Sequence, residues 1–280
     1  MRKWTNLAIV LLIITGLSVM LYPTISSWYN SKYQINAIVD YDNSLSLLSE
    51  EYQEEQRQEA VKYNNQLNGS GIEDPFIEGS GMVLPENYSS ILDINDGIMG
   101  YISIPKIDVQ LPVYHGTSDD VLKKGVGHME MTAFPIGGEG NHSVLTGHTG
   151  VPDATLFTNL KDLVIGDKFY ISILEETLAY EVDQIVVVEP TKTSDLLPVQ
   201  GEDYLTLVTC TPYGINSHRL LVRGTRVPYV EAQEAQAVEI GSDSSWDLLP
   251  YMIIIIAVLL VIIIVLIIRR KRRRRGQYEK

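Results

Sequence analysis

The sequence predicts an all-β protein, a β-barrel or β-sandwich, held between two membrane-spanning segments. Six or more short runs with alternating or β-branched residues fall within residues 98–227, among them GYISIPKIDVQLPVYHG, ETLAYEVDQIVVVEP and HRLLVRGTRV. Only one helix fits that region, at residues 153–163, which disfavours a parallel α/β sheet. A long apolar run lies near each end of the 280 residues.

The first apolar run predicts a membrane helix near the N-terminus. Residues 4–30 contain no charged residue, and residues 7–22 are almost wholly apolar, long enough with their flanks to cross a bilayer. Arg2 and Lys3 precede this run, and no small-residue cleavage site follows at the usual spacing. We expect residues 1–30 to be an uncleaved anchor, with a cleaved signal peptide as the alternative.

The second apolar run predicts a transmembrane helix over residues 248–268. Residues 251–268 are 18 uncharged residues, and RRKRRRR at 269–275 follows them. A basic heptad can also mark a nucleic-acid site, but beside a membrane span it is typical of a cytoplasmic flank. We expect residues 269–280 to be a cytoplasmic tail, so that both termini lie in the cytoplasm and the chain between the spans lies outside.

The predicted external part is strongly acidic. Two of the 22 basic residues precede the first span, and eight of them, with one of the 35 acidic residues, follow the second. This leaves 12 basic and 34 acidic residues outside, a charge of about −22. Such a charge argues against nucleic acid or anionic lipid as a partner and suits a solvated surface domain.

Composition divides the external part further. Residues 31–68 are polar, with apolar positions at helical spacing, and predict one or two helices packed weakly on the main body. Residues 69–92 begin GSGIEDPFIEGSG and predict an exposed loop, long enough to be functional or disordered. Residues 93–228 hold the β-type runs, and the acidic residues 229–247 predict a linker to the second span.

The chain has a single cysteine, Cys210, so it can form no internal disulfide. Residues 205–210 are typical of a strand on which Thr206, Val208 and Cys210 share a face, and Arg219 opens the next such run. If the two strands pair as antiparallel neighbours, Cys210 faces Arg219. A guanidinium beside a thiol favours the thiolate and can bind a developing oxyanion, whereas a lone cysteine is otherwise most often a buried small hydrophobe.

Catalysis by a thiol also needs a proton carrier, and histidine is the usual one. Of the five histidines, His148 ends VLTGH, a strand-like run that enters a Gly-rich loop, as expected at the rim of a barrel. The alternative is an ordinary surface histidine. His218 adjoins Arg219 but would point to the opposite face. One cysteine and scattered histidines give no ligand pair at zinc spacing, so no metal site is expected.

The segment TLVTCTPYGINSHRLLVRG resembles the signature of the sortases, membrane-anchored cysteine transpeptidases of Gram-positive bacterial surfaces. The resemblance extends through GVGHMEMTAFPIGGEGNHSVLTGHTG and ETLAYEVDQIVVVEP and covers nearly all of residues 98–226. It implies an eight-stranded β-barrel with short helices and a triad of Cys210, His148 and Arg219. Thr209, directly before the thiol, matches a position at the substrate groove.

Two features resemble the pilin-polymerising class, class C, of this family. One is the second membrane span, and the other is Asp74-Pro75-Phe76 in the Gly-rich loop, which matches that class's lid. From the residues alone, an ordinary Asp-Pro turn in a solvated loop is the alternative. The flanking GSG segments would allow a hinged lid in which Asp74 pairs with Arg219 and Phe76 covers Cys210.

The resemblance implies a cysteine transpeptidase that needs no cofactor. It would cleave a Leu-Pro-x-Thr-Gly motif between Thr and Gly through a thioester on Cys210 and join the product to a lysine of another pilin. Pilin subunits and the cell membrane are then the partners. The alternatives are a wall-anchoring sortase with a peptidoglycan amine as acceptor, and a non-catalytic scaffold that binds pilin tails. Thr149 departs from the family, in which a larger or basic residue often follows the histidine.

Overall fold

The computed structural model describes residues 2–67, 72, 74, 76, 87–231, 251, 254, 255 and 258, with residues 2–10 described by their backbone alone. Pro75, the predicted tail at 269–280 and most of the predicted span at 248–268 lie outside the described residues. The chain divides into two compact units, Met1–Tyr29 with Asp243–Lys280, and Asn30–Ser242.

Two long helices form the N-terminal part of the chain, α1 at Arg2–Ser46 and α2 at Glu50–Gln66. Among the described residues, one helix is long and apolar enough to cross a membrane, and it covers Leu11–Ser46. Within the first unit, the ring of Trp28 meets that of Tyr251 edge-on, with 5.4 Å between their centroids.

The second unit contains a closed barrel of eight strands. They are β1 Ile98–Ile104, β2 Val109–His115, β3 Val126–His128, β4 Asn141–Thr146, β5 Lys168–Ile173, β6 Glu176–Val188, β7 Asp203–Thr211 and β8 His218–Val227. Around the barrel their order is β1-β2-β3-β4-β7-β8-β6-β5. The pairs β2–β3 and β4–β7 are parallel, and the other neighbours are antiparallel. The all-β prediction and the eight-stranded barrel implied by the resemblance are confirmed.

Large side chains from the strands and their connections fill the core. Phe134, Phe157, Phe169 and Tyr180 are all fully buried. Gly224 in β8 makes room for one of them, because a Cβ at that position would lie 2.6 Å from the ring of Phe169. This packed core fixes the positions of β4, β7 and β8, whose ends meet at one rim of the barrel.

The helices dock firmly on the barrel, contrary to the weak packing predicted for residues 31–68. Tyr41 of α1 is fully buried, and its hydroxyl bonds to backbone groups of β1 (3.2 Å) and of the β5–β6 turn (2.9 Å). On α2, the amide of Asn64 pairs with both backbone groups of Phe134. Polar groups make these bonds beside the buried Leu45, Ala60 and Tyr63, so the polar composition of the segment did not indicate how firmly it docks.

Two local predictions differ from the structure. The helix predicted over residues 153–163 is wrong, because only a 3-10 turn, Leu160–Asp162, forms there. Leu156 has a φ of 40°, a left-handed conformation that interrupts a right-handed helix. The structure instead contains a short helix, α3, at Asp119–Lys124, whose N-cap is the side chain of Ser118.

Candidate active site

The end of β7 and the start of β8 bring a thiol and a guanidinium together. In the antiparallel register of these strands, Cys210 lies directly opposite Arg219. Directly opposed residues share one face of a sheet, with their Cβ atoms about 5 Å apart. The pairing deduced from the alternation of side chains is therefore present, and the thiol of Cys210 is half-buried and free.

His148 lies two residues beyond the end of β4, on the same rim of the barrel. β4 runs parallel to β7 with Thr146 opposite Val208, and the amide of Gly147 extends the pairing by donating to the Val208 carbonyl at 3.1 Å. Continuing this register by one more residue brings His148 level with the C-terminal end of β7, where Cys210 lies. The parallel pairing thus delivers both side chains to one end of the barrel.

Thr209 connects these two strand ends. Its hydroxyl donates to the carbonyl of Gly147 at 2.7 Å, and its side chain is buried. The residue that precedes the thiol is therefore bonded to the residue that precedes His148. Thr209 thereby ties the end of β7 to the start of the His148 loop, and its place at a substrate groove stays a prediction.

Arg219 forms a buried ion pair with Asp74. Its Nε donates to Asp74 Oδ1 at 2.8 Å, and its terminal NH2 nitrogen (Nη2) donates to Oδ2 at 2.5 Å. The second terminal nitrogen donates to the carbonyls of Asn216 and His218, each at 3.1 Å. Arg219 is 7% exposed and Asp74 is 8% exposed, so each charge depends on the other for compensation.

Phe76 occupies the space between the guanidinium and the imidazole. The Cζ atom of Arg219 lies 4.9 Å from the centroid of the Phe76 ring, and the ring of His148 lies 5.7 Å from it at an interplanar angle of 36°. Ile72 and Phe76 both pack against a small apolar cluster on the barrel wall. Its members are Met129, Val144, Val188, Leu196, Val208 and Leu221.

The charge states of the thiol and the imidazole follow from this burial. Burial raises the pKa of Cys210; Arg219 lowers it, and Asp74 raises it further. Burial lowers the pKa of His148, an effect that Asp119 opposes and Lys123 reinforces. With the site covered, neutral pH therefore favours a neutral thiol beside a neutral imidazole, not a thiolate–imidazolium pair.

The remaining histidines are held by structural bonds. His115, His128 and His142 direct both ring nitrogens at neighbouring backbone or side-chain groups. Burial lowers the pKa of His128 to about 3 and that of His142 to about 4. His218 bonds through Nδ1 to the hydroxyl of the adjacent Ser217. Within the described residues, no group of three or more His, Cys, Asp or Glu side chains could hold a metal ion.

The sequence of this chain is similar to those of known proteins. The family described as the Sortase domain matches residues 102–227. Sortase A of Bacillus anthracis is 30% identical over 180 residues, which cover 63% of this chain and 83% of that protein. The chain belongs to the sortase family. Sortase D of Bacillus subtilis is 32% identical to this sortase over 131 residues, which cover 46% of this chain and 63% of that relative.

Solved structures give a further likeness between this sortase and sortases of type C. Sortase C-1 of Streptococcus pneumoniae is 48% identical with a TM-score of 0.66, and the match covers 70% of this chain and all of that one (100%). A pilus-related sortase C of Group B Streptococcus is 47% identical with a TM-score of 0.64, covering 69% and 97%. Sortase C-1 of Actinomyces oris is 50% identical with a TM-score of 0.60, covering 63% and 99%. Sortases are cysteine transpeptidases, so a thiol at a barrel rim fits the family's chemistry.

Sequence reasoning missed one contact of this sortase's site. Ile72 reaches the same apolar cluster as Phe76, and Asp74 lies between them in sequence. The apolar residues on either side of Asp74 in the sequence, Ile72 and Phe76, were the available signal.

Proposed function

We propose that this chain is a class C, pilin-polymerising sortase. It would cleave a Leu-Pro-x-Thr-Gly-type motif between Thr and Gly and join the Thr carbonyl to a lysine amine of another pilin. The contact that carries the proposal is the buried pair of Asp74 and Arg219, because it sets a loop residue against the cation opposite Cys210. The likeness to a pilus-related sortase C supports the same class.

In the first step, Cys210 attacks the carbonyl of the motif's Thr. His148 takes the thiol proton as the S–C bond forms and gives it to the departing Gly amine as the C–N bond breaks. Arg219 stabilises the negative charge that develops on the carbonyl oxygen. The products are a thioester on Cys210 and a peptide that begins with Gly.

In the second step, a lysine amine of the next pilin attacks the thioester. Neutral His148 accepts the proton that the amine loses, and the thiolate of Cys210 leaves and is reprotonated. An isopeptide bond forms and the free thiol is regenerated. The lowered pKa of His148 favours its neutral, proton-accepting form, which suits this step.

The segment with Asp74 and Phe76 is proposed to be a closed lid. In the closed position Asp74 occupies the guanidinium that would otherwise bind substrate, and Phe76 lies against both Arg219 and His148. Substrate would enter only after this ion pair separates. Asp74, Pro75 and Phe76 are then regulatory residues, whereas Cys210, His148 and Arg219 act on the substrate.

The proposed setting is the cell surface, with the barrel outside the membrane and both termini in the cytoplasm. The apolar stretch of α1 supports an anchor at residues 1–30. For the rest of the chain we propose the domain boundaries that the sequence predicts. A membrane-tethered pilin would meet an enzyme that is tethered to the same surface, which raises the effective concentration of each for the other.

Mass spectrometry of the full chain in phospholipid nanodiscs tests this function. The enzyme would be incubated with a Leu-Pro-x-Thr-Gly peptide and a purified pilin, with Cys210→Ala as the control. We expect an acyl adduct on Cys210 and then an isopeptide bond to a pilin lysine. Transfer to a peptidoglycan-type amine alone would reassign the chain to wall anchoring. Pilin binding that survives Cys210→Ala, with no adduct in the unchanged enzyme, would favour a scaffold.

A further inference from the structure

The loop that carries His148 has little regular structure of its own. Between the end of β4 and the 3-10 turn at Leu160–Asp162, its internal bonds run from the Phe157 amide to the His148 carbonyl, from the Thr158 amide to the Thr155 carbonyl and from the Gly150 amide to the Thr158 hydroxyl. Ala154, Leu156 and Phe157 bury the far part of the loop in the barrel core. The segment between β4 and these residues, 148–153, is less buried, so contacts from other elements can fix its position and that of His148.

One such side chain comes from α1. The amide Nδ2 of Asn30 donates to the backbone carbonyl of Asp153 at 2.7 Å, across 123 residues of chain. Asn30 is the second-to-last residue of the uncharged stretch 4–31 of the same helix. The loop of His148 is thus bonded to the first residue of α1 that belongs to the barrel unit.

A second bond from the same helix face holds α3. The amide Nε2 of Gln34 donates to the carbonyl of Lys124, the last residue of α3, at 3.2 Å, and Gln34 is 5% exposed. Residues four apart lie on one face of a helix, and Ile38, Tyr41 and Leu45 continue that face into the core. The buried continuation fixes the rotation of α1, and with it the direction of both amides.

The bonds from Asn30 and Gln34 hold two segments near His148, its own loop at Asp153 and the end of α3 at Lys124. β3 pairs with β4 so that Gly127 lies opposite Thr146, which places the chain between α3 and β3 beside the residues that follow β4. Two charged residues of α3, Asp119 and Lys123, act on the imidazole of His148 from that side. Gln34 therefore holds the end of α3, and Asn30 holds the His148 loop at Asp153.

We infer that Asn30 and Gln34 are positioning residues for His148, through which the membrane-proximal turns of α1 hold the proton carrier in place. The inference rests on the proposed function of His148 in acyl transfer. Neither residue touches the reacting atoms. Their contribution is to keep the imidazole within reach of both the leaving Gly amine and the attacking lysine.

The test compares Asn30→Asp with Asn36→Asp in the full chain in nanodiscs. Asn36 is an exposed asparagine on the same helix, so both variants add one negative charge to α1. A carboxylate at position 30 cannot donate to the Asp153 carbonyl and repels it, with almost no change in size. We expect faster amide hydrogen exchange in residues 150–156 for Asn30→Asp only.

The kinetic readout separates positioning from general loss of structure. For Asn30→Asp we expect kcat for transfer to fall about tenfold or more, because small displacements of a catalytic group are costly, with KM for the sorting peptide unchanged. The rate of Cys210 alkylation should stay that of the unchanged chain. Gln34→Met keeps the side-chain volume, removes the bond to α3 and should lower kcat in the same way.

Several outcomes would overturn the inference. Equal exchange and equal kcat in the two Asn→Asp variants would show that Asn30 does not position the loop. If Asn30→Asp fails to fold, Asn30→Ala and Gln34→Met replace it, and an unchanged kcat in both has the same meaning. Absence of transfer in the unchanged chain would instead contradict the proposed function, and hydrogen exchange would still decide whether α1 holds the loop.

Discussion

Asp74 and Arg219 lie 145 residues apart in the chain and form a two-point ion pair that is almost inaccessible to solvent. Removing one partner of such a pair leaves a buried charge without compensation. Opening the loop therefore has to hydrate both groups at once. The proposal that this pair is a latch, which holds the loop closed over Cys210, can therefore be tested through the reactivity of that thiol.

Asp74→Asn should make Cys210 more reactive. Asp74 raises the pKa of the thiol, and Arg219 can stabilise the thiolate more fully when it is released from Asp74. The pH midpoint of alkylation by iodoacetamide should move to a lower pH, and each unit of that shift raises the thiolate fraction at pH 7 by about tenfold. Asp183→Asn is the matched control, since Asp183 makes a similar two-point pair with Arg223. An equal effect in both variants would contradict the latch.

Phe76→Ala should accelerate acylation by a sorting peptide without lowering Tm appreciably. The ring contacts Arg219 and His148, and aromatic contacts of this kind contribute about 0.5–1.5 kcal/mol, so the rate should rise up to about tenfold. Stopped-flow measurement of thioester formation gives the rate. Phe76→Tyr keeps the ring and should remain slow; a fast Phe76→Tyr would mean that the ring does not cover the site.

Arg219→Lys should lower kcat/KM for transpeptidation by about 10²–10³, the range found when one donor to a developing oxyanion is lost. Lysine keeps the positive charge but cannot reproduce the two-point geometry that Arg219 shows with Asp74. Steady-state kinetics on the peptide measure the change, with Arg223→Lys as the control. Comparable losses in both variants would indicate a general effect of charge geometry on the barrel.

Thr209→Val should destabilise the fold and slow the reaction, because it leaves the buried carbonyl of Gly147 without its donor. The loss of such a bond corresponds to about 1–3 kcal/mol. Denaturant unfolding measures the stability, and transfer rates measure the effect on the His148 loop. Thr209→Ser retains the hydroxyl and should restore both; a Ser variant as unstable and slow as Val would contradict a role carried by the hydroxyl.

The stability of the barrel should fall as the solution becomes acidic. His128 and His142 are neutral in the fold, with pKa values lowered to about 3 and about 4, and the unfolded chain binds protons at ordinary histidine values. The two histidines contribute fully to the free energy of unfolding above about pH 6.5, and this contribution is lost as the pH falls toward their pKa values in the fold. For His128 the loss is about 2 kcal/mol at pH 5. Tm measured from pH 7 to pH 4 tests this, and a flat profile would contradict it.

The sequence predicted those parts of the site that depend on local periodicity. Alternation within β7 and β8, with a short connection between them, was enough to place Cys210 opposite Arg219. The approach of Asp74 needed the family resemblance, because nothing local in a Gly-rich loop specifies a contact 145 residues away. The hydrogen bond from Asn30 to the Asp153 carbonyl could not be predicted for a related reason, since a side-chain bond to a backbone atom leaves no pattern in the sequence.

The covered thiol of Cys210 also bears on the chemical lifetime of the enzyme. Oxidation by peroxides proceeds through the thiolate, so a protonated, half-buried sulfur reacts slowly. A chain with one cysteine has no second thiol with which to form a disulfide and rescue a sulfenic acid. The proposed lid would therefore protect an irreplaceable atom during the intervals between substrates, and a lid that opened freely would shorten the enzyme's useful life in an oxidising medium.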